Sequence, residues 1–250
     1  MTSEELFSEI KARFSSLLES HGIINEPVEV KCHFLSAEEA IGHTKRQDFP
    51  IITGKDVMIQ AEYHGGRGQA FTDAPSLFSG TLAEVLATDV AHDAHARSLF
   101  IAVVNAVMNS LGLCEGTVHC RTEGPELCAQ EMRVYLERNY PDIENITLVG
   151  YQPALLEMLA KSRYNVRVLD LNPANIGQMR YGVLVEDGAN AMEDAKQSAD
   201  LILCTGSTLC NGTIVDYLLP EKDVLFFGIS AAGCAKLFGW KRVCFAERYA

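Results

Sequence analysis

From Asn145 onward, apolar runs of four or five residues alternate with helical spacers, and this rhythm leaves few folds open. Strands are read at 146–149, 166–169, 182–185, 201–204, 224–227 and 243–246, with helices at 153–161, 189–198 and 235–238 between them. Runs this short and this apolar fit strands covered on both faces, and helical spacers of about 10 to 15 residues fit right-handed crossovers between parallel neighbours. The expectation for this half is an α/β fold, a doubly wound parallel sheet.

The first half has a different pattern. Thr2 and Glu5 make a capping box ahead of Phe7, Ile10, Phe14, Leu17 and Leu18, whose spacing predicts an amphipathic helix over 3–20. Residues 28–34 and 56–63 alternate and read as an antiparallel pair, with Pro50 and Gly54 punctuating between them. Residues 64–75 read as a polar, glycine-rich turn region. Helices follow at 81–87 and 94–111, and the second is apolar on nearly every side, as a central helix must be. Asn105 lies in it, and an unpartnered amide there costs about 1 to 3 kcal/mol, so Asn105 is either a hydrogen-bond hub or a ligand contact. The stretch 113–124 reads as a link, dividing the chain into a small α+β domain, 1–112, and a doubly wound domain, 113–250, which opens on a helix at 125–138.

Charge narrows the partners. The chain carries 21 Lys and Arg against 33 Asp and Glu, a formal charge of -12, with no basic patch, which disfavours nucleic acid and anionic membranes. No basic, apolar leader opens the chain and no apolar run approaches a bilayer span, so a cytoplasmic protein is expected. The eight cysteines form no CxxC pair and read as reduced, mostly buried thiols.

The strand at 201–204 breaks into Thr205-Gly206-Ser207-Thr208, and Asn211-Gly212-Thr213 opens the next helical pattern. Polar groups crowd the carboxyl end of a parallel strand, where such sheets bind ligands, although turns and caps use the same residue types. Asp170 follows Gly150 by 20 residues at the next strand end, the spacing of a ribose-binding acid. The GxGxxG fingerprint is missing, and Tyr151 and Pro153 crowd the approach of a pyrophosphate, so NAD and FAD are disfavoured. His64-Gly65-Gly66-Arg67-Gly68 reads as an anion-approach loop or a plain hairpin; folded over Thr205 it would form a lid reaching to Thr72. His64 is the candidate metal ligand of that lid. Asp89, His92 and His95 share a helical spacing, and Cys114, His119, Cys120 and Cys128 form a loose cluster, but neither fits a zinc template. No catalytic residue is assigned.

Gly150-Tyr151 with Pro153, Asp170 with Asn172-Pro173, Thr205-Gly-Ser-Thr-Leu with Asn211-Gly-Thr213, and Gly228 with Ser230 together carry a resemblance. With the helix at Asn105-Ala106, they resemble over nearly the whole chain the family described as putative heavy-metal chelation proteins. Ile229, where that family often has proline, and the polar Gln152 depart from its pattern. The resemblance implies an enolase N-terminal-like domain joined to a Rossmann-like domain, with the site in the cleft between them. It implies a role in handling a metal or a metal-binding small molecule, near corrinoid or siderophore metabolism. It imports no enolase chemistry, whose catalytic groups come largely from a barrel absent here. The ligand contacts expected are Gly150, Tyr151, Asp170, Asn172, Thr205, Gly206, Ser207, Thr208, Asn211, Gly228, Ser230, Arg67, Thr72 and Asn105. Hydroxyls without thiolates suit a hard cation or a metal inside an organic chelate better than a naked soft metal. Two further readings stay open: an enzyme holding a nucleoside-bearing cofactor such as S-adenosylmethionine through Asp170, and a non-catalytic small-molecule carrier. A homo-oligomer is compatible with either.

Overall fold

The computed structural model describes residues 1–26, 30–53 and 57–250. The amino ends of the strands expected at 28–34 and 56–63, and the punctuating Gly54, lie outside the described residues. The chain is α/β, with two sheets among the described residues. Helix α1 (Ser3–Ser20) starts with the expected capping box: Thr2 Oγ1 accepts from the Glu5 amide at 3.2 Å and Glu5 Oε2 from the Thr2 amide at 2.6 Å.

The first sheet, ordered β3-β2-β1-β4, is antiparallel and contains β1 (Val30–Leu35), β2 (Val57–Tyr63), β3 (Gly66–Thr72) and β4 (Phe78–Gly80). Short helices α2 (Ala37–Ile41) and α3 (Pro50–Thr53) connect β1 to β2, α4 (Leu82–Leu86) leads out of β4, and α5 (Ala94–Ser110) lies across the sheet. The turn region expected at 64–75 is corrected by β3. His64 and Gly65 turn, both at positive φ, the chain returns at once as a strand, and only Asp73–Pro75 beyond it are irregular as expected. Its glycines serve packing. A Cβ on Gly66 would sit 2.4 Å from the Ala106 carbonyl oxygen, and one on Gly68 2.2 Å from the Ala106 amide nitrogen, so α5 rests directly on the strand backbone.

Helix α6 (Gly124–Asn139) leads into the second sheet, which holds β5 (Asn145–Val149), β6 (Asn165–Asp170), β7 (Met179–Arg180), β8 (Val183–Asp187), β9 (Leu201–Thr205) and β10 (Asp223–Phe227). Its order is β10-β9-β5-β6-β8-β7, parallel except for the β7–β8 hairpin at the edge. Helices α7 (Pro153–Ala160), α8 (Gly188–Ser198), α9 (Ser207–Asn211) and α10 (Ala232–Phe238) complete it. The closing strand expected at 243–246 is absent. A single bridge joins Phe226 to Arg242, after which the chain turns into a 3₁₀ segment at Ala246–Arg248.

Both faces of this sheet are covered, and the strands alternate between them. Ile146, Leu148, Leu201, Leu203, Leu225 and Phe227 pack with α6 and α7. Val149, Ile202, Cys204 and Phe226 face the opposite way, into a core built with α1, α5 and the first sheet. Among the described residues no helix is long and apolar enough to cross a membrane.

Candidate functional site

Strand order sets the site's position. From β5 the chain passes through α7 to β6 on one side, and from β8 it returns through α8 to β9 on the other. The carboxyl ends of β5 and β9 are therefore a switch point, where connections leave in opposite directions and open a crevice. A cleft of about 510 Å³ occupies it, roofed by the carboxyl end of β3.

Gly150 ends β5 at φ +85°, and a Cβ there would stand 2.5 Å from Thr205 Cγ2. The room that a dinucleotide fold keeps for pyrophosphate is filled here by the neighbouring strand's threonine. Thr205 Oγ1 and Ser207 Oγ are 2.9 Å apart at the cleft wall, and Thr208 Oγ1 donates to the Thr205 carbonyl at 2.6 Å. Asn211 Oδ1 accepts from the amide and hydroxyl of Thr213, at 3.0 and 2.7 Å, which holds the loop that follows α9. Asp170 organises its own side: its carboxylate accepts from the amides of Asn172, at 2.8 Å, and Tyr151, at 3.2 Å, and from Asn175 Nδ2 at 2.9 Å.

Of the residues singled out in the sequence, Gly150, Asp170, Asn172, Thr205, Ser207, Thr208, Asn211 and Thr72 line the cleft. Asp73 and Asp216, which sequence reasoning missed, line it too. Among the described lining residues there are three carboxylates and no Lys, Arg or His.

Tyr151, Gly206, Gly228 and Ser230 line a smaller chamber of about 190 Å³, which shares Phe71, Gly150, Asp170, Thr205 and Ser207 with the cleft. Asn105 is fully buried behind both. Its Nδ2 donates to the carbonyls of Gln69, Ile229 and Ser230, and its Oδ1 accepts from the Gly233 amide at 2.7 Å. Ser230 Oγ accepts from the Phe71 amide at 3.0 Å, a second tie between β3 and the far lobe.

His64 and Arg67 are not part of this assembly. They occupy the opposite end of β3, and four residues of strand, rising about 3.3 Å per residue, separate Arg67 from Thr72. The lid reading of 64–72 is corrected accordingly. His64 Nε2 lies 3.1 Å from Glu26 Oε2, beside a separate surface recess. His92 pairs with Asp89 at 3.1 Å while His95 contacts the Pro75 carbonyl, so that helical spacing does not converge. Among the described residues no three His, Cys, Asp or Glu side chains are grouped to hold a metal ion.

A segment that the sequence left unread runs past the smaller chamber, which its Phe49 lines. Arg46 reaches Glu126 at 3.0 Å and Asp48 at 3.6 Å, and also Glu157 and Tyr181. Asp48 accepts from the hydroxyls of Tyr151, at 3.1 Å, and Tyr181. Burial, with Asp48 beside it, pushes the Tyr151 phenol up to about 12, so it remains a donor. Residues 45–49 thus strap the first lobe to the second. The partners lie about 80 to 135 residues away, and no local pattern announces them.

Four solved chains match in fold, among them two titled as DUF364 family proteins of unknown function. The one from Pyrococcus horikoshii has a TM-score of 0.53 at 16% identity, covering 90% of this chain and 79% of its own. The one from Desulfitobacterium hafniense has a TM-score of 0.52 at 16% identity, covering 90% and 82%. That likeness is one of fold. No curated protein matches the sequence. The family resemblance carried by the residues around Gly150, Asp170 and Thr205 therefore holds, for the chain matches the DUF364 family, described as putative heavy-metal chelation, across residues 135–242.

Proposed function

We propose that the cleft binds a small polar ligand that is cationic or metal-bearing, between a first lobe of residues 1–112 and a second of 113–250. One observation carries this reading: Asp73, Asp170 and Asp216 line the cleft, and no described cation does. Such a wall repels phosphates and carboxylates and attracts cations, and its hydroxyls and amides add hydrogen-bond partners. Its donors are hard oxygens, which do not fit a naked soft metal. A metal enclosed in an organic or ammine shell fits them, because the shell meets the wall and the ion does not.

A nucleoside-bearing cofactor held through Asp170 has less support. Both oxygens of that carboxylate already accept hydrogen bonds from its own loop, and one also from the Tyr151 amide. A charge of -12 without a basic patch and thiols free of disulfides accord with a cytoplasmic protein that has no nucleic acid partner.

Calorimetry with hexaamminecobalt(III) as a cationic metal shell and hexacyanoferrate(III) as an anionic one tests the reading. Saturable one-to-one binding of the first is expected, weakened about tenfold or more in Asp73→Asn or Asp216→Asn, which corresponds to about 1.4 kcal/mol. Binding that survives both substitutions, or a preference for the anion, would count against the cleft as a cation site.

A further inference from the structure

The smaller chamber has chemistry that the cleft reading does not use. Its walls are apolar and come from both lobes: Phe49 and Met58 belong to a cluster of the first lobe, Met132 and Phe227 to the cluster beneath α6 and α7. Cys120, Cys128 and Cys244 line it as free thiols, which act as small apolar groups.

Charge is confined to one side of the chamber. Among the described residues that line it, Asp170 is the only carboxylate, and there is no Lys or Arg. Asp170 also lines the cleft, so that charge lies where the two cavities meet. His119 Nδ1 is 2.6 Å from the Cys120 carbonyl, and burial holds the imidazole below its ordinary range, so the ring stays neutral. A charge moved into such a wall loses its hydration without gaining a partner, whereas an apolar group gains by leaving water. Volume sets the size of that group. An apolar cavity of about 150 Å³ is enough to hold benzene. The chamber, at about 190 Å³, has room for one aromatic ring and a short link.

We propose that the chamber seats an uncharged apolar group of about one aromatic ring, and that the ligand of the cleft is an amphipathic cation whose apolar end lies here. The seat follows from the chamber alone, while the cationic end rests on the reading of the cleft given above. Asp170, Thr205 and Ser207 line both cavities, so a short link joins the two ends. Small apolar chambers that open beside a few convergent polar groups are how ligand sites commonly divide their task, with the apolar part giving affinity and the polar part orientation.

Methionine-methyl NMR of the full chain tests this, because Met58 and Met132 line the chamber and Met192 lines the cleft. Three probes separate the parts: phenethylammonium, ethylammonium without the ring, and phenethyl alcohol without the charge. Phenethylammonium is expected to move all three signals and to bind at least about tenfold more tightly than ethylammonium, which should move Met192 alone. Phenethyl alcohol should move Met58 and Met132. Val243→Phe and Ile51→Phe fill the chamber from partly buried positions on opposite lobes, and either should remove the gain that the ring confers. Dispersed methyl signals confirm the fold of each variant, and the wild-type shifts decide alone should both unfold. Asp73→Asn should weaken both ammonium probes alike. A ring that adds no affinity, ring probes that leave Met58 and Met132 unmoved, or a gain that survives both filled variants would overturn the seat. Failure of the cation reading has a different signature: phenethyl alcohol would bind as tightly as phenethylammonium while Met58 and Met132 still move, which overturns the cationic end and leaves the seat.

Discussion

Gly150 and Asn105 show how differently two residues of one site can be written into a sequence. Gly150 follows a buried strand and is legible as the residue that ends it, but the reason it must be glycine lies in Thr205, 55 positions on. Its φ of +85° disfavours any side chain, and the Thr205 methyl stands where a Cβ would go. Gly150→Ala is expected to destabilise the chain by about 2 kcal/mol in urea unfolding, from positive φ and overpacking together. Adding Thr205→Ser removes the methyl, and the double variant should recover about half of that loss. Strict additivity in the double-mutant cycle would mean that the contact is not the cause. Asn105 was legible only as a choice between hub and ligand contact. The structure surrounds it with four backbone groups drawn from β3 and from the turn into α10, and those distant segments are invisible in the periodicity of its own helix.

Elements were legible where a pattern is local and illegible where a neighbour dictates the residue. The capping box of α1, the apolar α5 and the β/α rhythm from β5 to β10 all follow from near-neighbour chemistry. Strand β3 did not read as a strand, because Gly66 and Gly68 look like turn residues until α5 is seen lying on them. The apolar 243–246 run reads as a strand, yet it packs as an irregular segment beside α6. The strap at 45–49 belongs to the same class, since its purpose lies in charges on α6 and α7. Arg46 there faces Asp48, Glu126 and Glu157. Removing it leaves three partly buried carboxylates together, so Arg46→Ala should cost about 2 kcal/mol and raise amide exchange in the strap before the sheets. The pH dependence has a definite sign. Hydrogen bonds from Lys161 and then Arg46 hold Glu157 below the usual carboxylate range. A depressed folded value contributes stability that is present above the unfolded pKa of about 4.3 and is lost as pH falls through the folded value. The wild type should therefore lose stability in acid more steeply than Arg46→Ala, and parallel acid limbs would deny the strap that role.

At the scale of the whole molecule, the two sheets share their largest core, although the second sheet keeps another of its own against α6 and α7. One cluster runs from Phe7 and Ile59 through Phe100 and Val104 to Ile202, Leu209 and Cys234, so α1 and α5 serve both sheets at once. A helix apolar on nearly every side needs cover on every side, which the sequence reading places within 1–112, but one four-stranded sheet covers only one face and the second sheet supplies the rest. A Cβ on Gly233 of α10 would stand 2.9 Å from Val104 and 3.0 Å from Asn105 Oδ1, which shows how closely the second lobe meets the helix. The cleft is anchored on this seam, since β3, which roofs it, and β9, which floors it, both pack on that core. A chain built this way should unfold as one unit. Calorimetric and van't Hoff enthalpies are expected to agree for the intact chain, and residues 1–112 alone, with the far side of α5 uncovered, should bind hydrophobic dye and lack a cooperative transition. Two resolved transitions, or a well-folded 1–112 fragment, would mean that the seam is a docking contact between independent domains. In that case the cleft would be able to open by moving one lobe against the other, a motion that the shared core otherwise forbids.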